Sequence, residues 1–331
     1  MDLRTTYLGL SLPHPFMPGA SPMVDDLDTV KRLEDAGAAA IVMHSLFEEQ
    51  IRREQLATFL HTEMHGESYA EALYYFPRPD SFALGPEEYL SQIGRIKGAV
   101  QVPVIASLNG TSLGGWLAYA QLMEQAGADA LELNVYAVPS NPDETALDIE
   151  TRTVEMLRTL KAKVGIPVAV KLSPYYTSLP HFASQLQQAG ADGLVLFNRF
   201  YQPEIDPENL DLERQLRLSH SDELPLRLQW IALLRDRVPV SFAVTGGVHE
   251  ATDAVKAVMA GADVIQMVSA LLRRGPAQLR VVADAFVRWM EEHEYSSLAE
   301  MKGSMSRSSC PDPSAYERAN YMMMLQSWRN A

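Results

Sequence analysis

Lys171 closes an apolar run, Pro167-Val-Ala-Val-Lys171, and a lysine in that setting is a chemical candidate. Its amine could form a Schiff base, or its positive charge could face an anionic state of a bound group. The alternative is a stem lying along the core with its ammonium in water. Asn134 and Asn198 close two other apolar runs. Neutral groups that both donate and accept suit recognition of a planar, imide-like ring, the alternative being a local cap on the next turn. Val244-Thr-Gly-Gly-Val248 and Gly261-Ala-Asp-Val-Ile-Gln-Met-Val-Ser269 carry chemistry of another kind. Each reads as a strand, a tight loop and a helix start, where backbone N–H groups hold phosphate. Gly246, Gly247 and Ser269 are therefore expected at the phosphate of a ligand or cofactor. His44, also at a strand end, has the pKa range for acid/base work. His61 and His65, with Glu63 between them, lack a third placed ligand, so no metal site is expected.

Such residues act together only if one scaffold gathers the strand ends. Strand-like runs fall at 16–20, 38–43, 102–107, 130–134, 168–171, 193–197, 240–245 and 264–268. Helix-like runs alternate with them at 25–36, 86–99, 114–126, 149–164, 179–189, 226–237, 252–260 and 276–292. The phrase Ala-Gly-Ala recurs at 36–38, 126–128, 189–191 and 260–262, each time closing a helix through glycine and re-entering a strand. Eight such units predict an α/β fold, a (β/α)8 TIM barrel over 1–303, with its working face at the C-terminal ends of the strands. An alternating stretch at 5–12 predicts a hairpin over the opposite face. Long loops at 45–85 after strand 2 and 198–224 after strand 6 are expected to be lids or substrate walls. The tail, 304–331, carries one expected helix at 316–328, whose Met322, Met323, Met324 and Trp328 suggest a docking face.

Composition narrows the classes of function. The chain has 331 residues, 47% of them hydrophobic and 21% charged, as in globular proteins with a large core. With a net charge of −14 and a pI near 5.0, nucleic acid and anionic membrane are poor partners. No apolar run reaches the roughly 18 residues of a membrane span. The first residues, Met-Asp-Leu-Arg-Thr-Thr-Tyr, do not read as a signal peptide. The single cysteine, Cys310, excludes an internal disulfide framework, and a cytoplasmic location is expected.

Taken in order, these stretches resemble the dihydroorotate dehydrogenase family, the FMN enzymes of pyrimidine synthesis, and most of all its class 1 form. The likeness rests on Pro15-Phe-Met-Pro-Gly-Ala-Ser21, Glu132-Leu-Asn134, Val170-Lys-Leu-Ser-Pro-Tyr175, Val244-Thr-Gly-Gly-Val248 and the 261–276 segment. The resemblance implies that Ala20 and Ser21 lie against the flavin ring, with Lys171 at its N1/C2 edge. Asn134 would face both flavin and substrate, Asn198 would hold the substrate beside the flavin, and Gly246, Gly247 and Ser269 would take the FMN phosphate. The implied reaction oxidises dihydroorotate, a small molecule, to orotate. A hydride goes to flavin N5 while a base removes a proton from the adjacent carbon. A homodimer, and an electron-transfer partner subunit, are further expectations.

Several residues depart from the family pattern. Ala137 stands where the family has a cysteine or serine base, Pro139 replaces an asparagine, and His44 replaces a lysine. The substrate loop after strand 2 is replaced by Tyr74-Tyr-Phe-Pro-Arg-Pro79. His44, Tyr136 and Ser140 are the candidates to supply the missing base, although His44 could instead hydrogen-bond the flavin or Ser45. The departures keep two other readings open: an FMN oxidoreductase with a different substrate, and a non-catalytic flavoprotein subunit docked through its tail.

Overall fold

A computed structural model of the protein describes residues 1–54, 85–213 and 215–327. Eight parallel strands form one sheet: β1 (Phe16–Pro18), β2 (Ile41–Phe47), β3 (Val104–Asn109), β4 (Ala130–Asn134), β5 (Val168–Leu172), β6 (Gly193–Leu196), β7 (Ser241–Thr245) and β8 (Val264–Met267). The hydrogen-bonded order runs β1-β8-β7-β6-β5-β4-β3-β2. The Ala39 N–H, donating to Phe16 O at 2.9 Å, brings the two ends of the sheet together. The fold is the expected TIM barrel.

Around it lie α1 (Leu27–Asp35), α2 (Pro86–Ala99), α3 (Tyr119–Gln125), α4 (Ala146–Lys161), α5 (Leu179–Gln188), α6 (Leu224–Leu234), α7 (Ala251–Ala260), the short α8 (Ser269–Arg274) and α9 (Gln278–Glu292). Local chemistry sets their ends. The Asp26 carboxylate caps α1 by accepting from Thr29 N–H at 3.0 Å. A reciprocal Thr145–Asp148 capping box starts α4 at Ala146, three residues before the apolar Ile149 that marks it in the sequence. Residues Gly115–Ala118 form a 3-10 turn, so α3 is shorter than the expected 114–126 helix. Three of the Ala-Gly-Ala phrases are followed by an aspartate that binds two ways. Asp129 accepts from Val104 N–H and Lys97 Nζ, both at 2.7 Å. Asp192 does so from Val168 N–H at 2.7 Å and Lys161 Nζ at 2.8 Å. Asp263 accepts from Phe242 N–H at 2.7 Å and Lys302 Nζ at 2.8 Å. Each carboxylate ties a strand start to a lysine, Lys97 on α2, Lys161 on α4 and Lys302 beyond α9, and fixes the floor of the barrel.

The 5–12 stretch is the predicted hairpin, Thr5–Tyr7 paired with Leu10–Leu12. Its turn residues, Leu8 and Gly9, both have positive φ, at 54° and 75°. This is the backbone that a two-residue hairpin turn demands. Tyr7, Leu8 and Leu12 pack into the barrel floor with inward residues such as Val42, Ile105, Ala169, Val195 and Val264. The Leu8 N–H donates to Ser241 Oγ at 3.1 Å, and Thr5 Oγ1 donates to Asp263 O at 3.0 Å. Going up from that floor, inward residues turn polar: Ala130, Glu132, Asn134 on β4, Ile105, Ser107, Asn109 on β3, and Ala169, Lys171 on β5. Alternation along each strand makes these the interior positions, so the polar mouth follows directly from sequence.

The loop after β6 contains a small antiparallel hairpin, Glu204–Asp206 with Asp211–Glu213, that the sequence does not announce. Beyond α9 the chain returns to the barrel wall. Gly303 N–H donates to Val258 O at 3.0 Å, Met305 N–H to Met259 O at 2.9 Å and Arg307 N–H to Ala232 O at 3.0 Å. The tail helix is α-helical over Ala319–Ser327, preceded by a 3-10 turn at Pro313–Tyr316, and it exposes Tyr321 through Leu325. Trp328 lies outside the described residues, as do His61, Glu63, His65 and the Tyr74–Pro79 segment. Among the described residues, no helix is long and apolar enough to cross a membrane.

Candidate active site

A cavity of about 460 Å3 opens at the C-terminal mouth of the barrel. Ala20, Ser21, His44, Asn134, Lys171, Asn198, Gly246 and Ser269 all line it. Of the residues singled out by sequence, Gly247 stands just behind this lining and Tyr136 is elsewhere. The Tyr136 ring stacks on Phe200 at 5.0 Å, and its hydroxyl accepts from Tyr201 N–H at 3.1 Å.

Lys171 is 7% exposed and stands 3.1 Å from Glu132 Oε1. Glu132 is fully buried, and its other oxygen accepts from Gln266 Nε2 at 2.8 Å. A buried carboxylate needs such partners, since an uncompensated charge in the interior is strongly unfavourable. The lysine therefore neither floats free nor snorkels to solvent. Sequence reading missed Glu132 and Gln266 as partners, although their inward parity on β4 and β8 marks them.

Above this pair runs a chain of neutral groups. Ser45 Oγ and Ser107 Oγ are 2.8 Å apart. Asn134 Nδ2 reaches Ser45 Oγ at 3.4 Å, and Asn198 Nδ2 donates to Asn134 Oδ1 at 2.6 Å. The amides orient one another and keep further donor and acceptor capacity for a ligand. Strand pairing sets their level, with Asn134 opposite Asn109 on one side and Lys171 on the other. Arg199, next to Asn198, also lines the mouth and pairs with Glu223 through Nη1 at 2.7 Å.

His44 is not at a strand end. Strand β2 runs on to Phe47, with a register shift between Val42 and Ser45. Inward polar residues at the mouth do not stop a strand, which is why the expected end at residue 43 is too early. His44 Nδ1 lies 2.6 Å from Asp25 Oδ1. Burial lowers the His44 pKa and raises that of Asp25, while the attraction between them works against both shifts.

At the far end of the cavity, Gly246 and Gly247 have φ of +82° and +86°. A Cβ on Gly247 would stand 2.7 Å from Leu224 N, so the turn packs directly on the start of α6. The Gly247 N–H donates to Ser219 Oγ at 3.2 Å, and the Ser219 N–H donates to Ser269 Oγ at 3.0 Å. Ser219, from the loop after β6, is thus a bridge between the two expected phosphate segments that sequence reading did not single out. Arg227, buried, donates from Nε to Thr245 O at 2.9 Å and holds its guanidinium beside Gly246. First-turn N–H groups of α8 have no helical acceptor and add donor capacity here.

Beside the mouth lies a second, largely apolar cavity of about 330 Å3 whose lining includes Ala137, Pro139, Ile149, Tyr175 and Phe200. Ala137, at the position of the family's base, faces this cavity. Among the described residues, no group of three His, Cys, Asp or Glu side chains is placed to hold a metal ion.

A parallel barrel with this mouth is shared by many enzymes, so the comparison of sequences decides the family. The sequence model of dihydroorotate dehydrogenase matches residues 83–290, more than half of the chain. The chain belongs to the dihydroorotate dehydrogenase family. It is 27% identical over 312 residues to the catalytic subunit of dihydroorotate dehydrogenase B (NAD(+)) of Thermoplasma volcanium, covering 91% of this chain and 98% of that protein. The corresponding subunit of Methanocaldococcus jannaschii is 25% identical over 318 residues, covering 91% and 97%. The NAD-dependent dihydropyrimidine dehydrogenase subunit PreA of Escherichia coli is 23% identical over 332 residues, covering 94% of this chain and 78% of that subunit. Dihydroorotate dehydrogenase-family proteins are generally flavin-dependent, and this one is an oxidoreductase of that family.

Proposed function

We propose that the protein binds FMN in the barrel mouth and oxidises dihydroorotate to orotate. One observation carries the reading: a single cavity joins a buried lysine, a pair of linked asparagines and a glycine turn backed by a buried arginine. The residues fit a flavin nucleotide on their own terms. Ser21 Oγ is buried with no partner, a donor facing a polar edge. The positive-φ turn at Gly246 and Gly247, with the Arg227 guanidinium beside it, suits an anionic phosphate. The ring would lie against Ala20 and Ser21, with Asn134 and Asn198 offering amides to flavin and substrate. Lys171 would set a positive charge beside the N1/C2 edge, where reduction places negative charge. When bound, FMN supplies the hydride acceptor. The protein orients the substrate ring and handles the proton.

The test is anaerobic. Purified protein should be yellow or become so with FMN, and dihydroorotate should bleach it. A protein that stays colourless with FMN present would sink the assignment. A second reading has its own support, because Ala137 and Pro139 line an apolar cavity where the family has polar groups. It is an FMN oxidoreductase of this family acting on a different reducible ring, and bleaching by a pyridine nucleotide but not by dihydroorotate would favour it. Exposed Met322, Met323 and Met324 support a docking role for the tail, with a homodimer or an electron-transfer subunit as partner.

A further inference from the structure

An alanine at position 137 cannot accept a proton, so the reaction needs its acid/base group elsewhere in the mouth. His44 is the imidazole among the cavity's lining residues, and Asp25 lines the same cavity. The two come from opposite sides of the β1/β2 seam: Asp25 follows β1, while His44 lies within β2. Helix α2 holds both from behind. Gln92 Nε2 donates to Val24 O at 2.8 Å and to Asp25 O at 3.1 Å. The Tyr89 hydroxyl reaches His44 O at 2.8 Å, and its ring meets the imidazole edge-on at 5.0 Å. His44 Nδ1 lies 2.6 Å from Asp25 Oδ1, an ion-pair distance without hydrogen-bond alignment, which leaves Nε2 for the proton. The same division of labour, with a carboxylate orienting one ring nitrogen and the other moving the proton, operates in hydrolase triads.

We propose that His44 is the acid/base residue of this site and Asp25 its positioning residue, a reading that rests on the flavin oxidoreductase function above. One substrate C–H leaves as hydride to the flavin, which is reduced. The neighbouring carbon gives its proton to His44 Nε2, and the electron pair left behind becomes the new C=C bond. The imidazolium formed is stabilised by the Asp25 carboxylate. The other groups packed against the pair are Tyr89 and Gln92 from α2. Asp25 is the charge that acts on His44, favouring the imidazolium against the effect of burial.

The experiment uses the full-length, flavin-loaded protein. Anaerobic bleaching by dihydroorotate is followed across roughly pH 5–9 in the parent, His44→Gln and Asp25→Asn. His44→Gln should slow bleaching by roughly 10²-fold or more, with flavin absorbance and circular dichroism retained. Asp25→Asn should slow it less and move the acidic limb to lower pH, because the carboxylate that favours the charged imidazole is gone. A His44→Gln protein that bleaches at the parent rate overturns the proposal. A second measurement needs no substrate: histidine-selective 15N labelling reads the His44 titration in the parent and in Asp25→Asn. The midpoint should fall in the variant, and an unchanged midpoint overturns the positioning role. Should dihydroorotate fail to bleach the parent, the substrate named above is wrong, and the dyad then stands or falls on the titration. If His44→Gln does not fold, His44→Ala with added imidazole replaces it, and no rescue of the rate counts against the proposal.

Discussion

Replacing Lys171 by methionine keeps the length and apolar stem of the side chain and removes its charge. Glu132 is fully buried, so the change strands a carboxylate whose remaining partner is Gln266 Nε2 at 2.8 Å. Removing one member of a buried pair costs about 3–5 kcal/mol. The unfolding entropy of a chain of 331 residues is about 0.7 kcal/mol/K, which makes the expected fall in melting temperature roughly 4–7 °C. The reverse change, Glu132→Gln, should cost less, because the Lys171 ammonium sits nearer the open mouth and can be hydrated there. The double variant Glu132→Gln/Lys171→Met has no charge to strand and should recover much of the loss. Calorimetry of the four proteins decides the matter. Equal melting temperatures for the parent and Lys171→Met would refute the argument that this pair is energetically coupled. In flavin-loaded protein the same variant should also have a more negative flavin reduction potential, measured by dye equilibration, and an unchanged potential would contradict the electrostatic role.

Gly247→Ala should be worse than Gly246→Ala in both thermal stability and FMN retention. Both carry the roughly 1–2 kcal/mol of left-handed backbone strain, but the Gly247 Cβ meets the backbone of Leu224 whereas that of Gly246 meets the movable Arg227 side chain. Ser219→Ala leaves the Gly247 N–H without its acceptor, which should lower the melting temperature of the flavin-free protein by an amount equivalent to about 1–3 kcal/mol. FMN should then raise the melting temperature more in this variant than in the parent, and a smaller rise would count against a shared phosphate cup. Leu8→Ala should destabilise by about 2–5 kcal/mol in denaturant titrations while leaving the spectrum of bound flavin unchanged, because it acts at the floor and not at the mouth.

The barrel was legible because its units announce themselves locally: an apolar strand, an amphipathic helix and a glycine between two alanines. Errors gathered where tertiary placement overrides local pattern. Polar residues look like strand ends, which places the expected ends of β2 and β3 at 43 and 107 instead of 47 and 109, yet His44 and Ser45 line the mouth cavity from within a strand that keeps its ladder bonds. The cavity gathers Lys171, Asn134, Asn198 and the Gly246 turn, all visible as strand-end residues. The partners that tune them were not, since Glu132 and Gln266 lie on strands more than a hundred residues apart. Asp25 reads as an ordinary acid ahead of a helix, and only the return of β2 beside it makes it a partner for His44. Ser219 had no signal at all within a polar loop.

The hairpin at the floor has a consequence for how the molecule is made. Residues 5–12 are synthesised long before the groups that hold them in place, Ser241 and Asp263, which are separated from Leu8 and Thr5 by 233 and 258 positions. Strand β1 likewise finds its partner in β8, with Phe16 opposite Ile265. Such long-range contacts raise the contact order and slow folding. The nascent chain must therefore carry Tyr7, Leu8 and Leu12 without these partners until β7 and β8 have been synthesised. Docking of this segment must wait for β7 and β8, and a chain halted before β8 would present an open floor to chaperones and proteases.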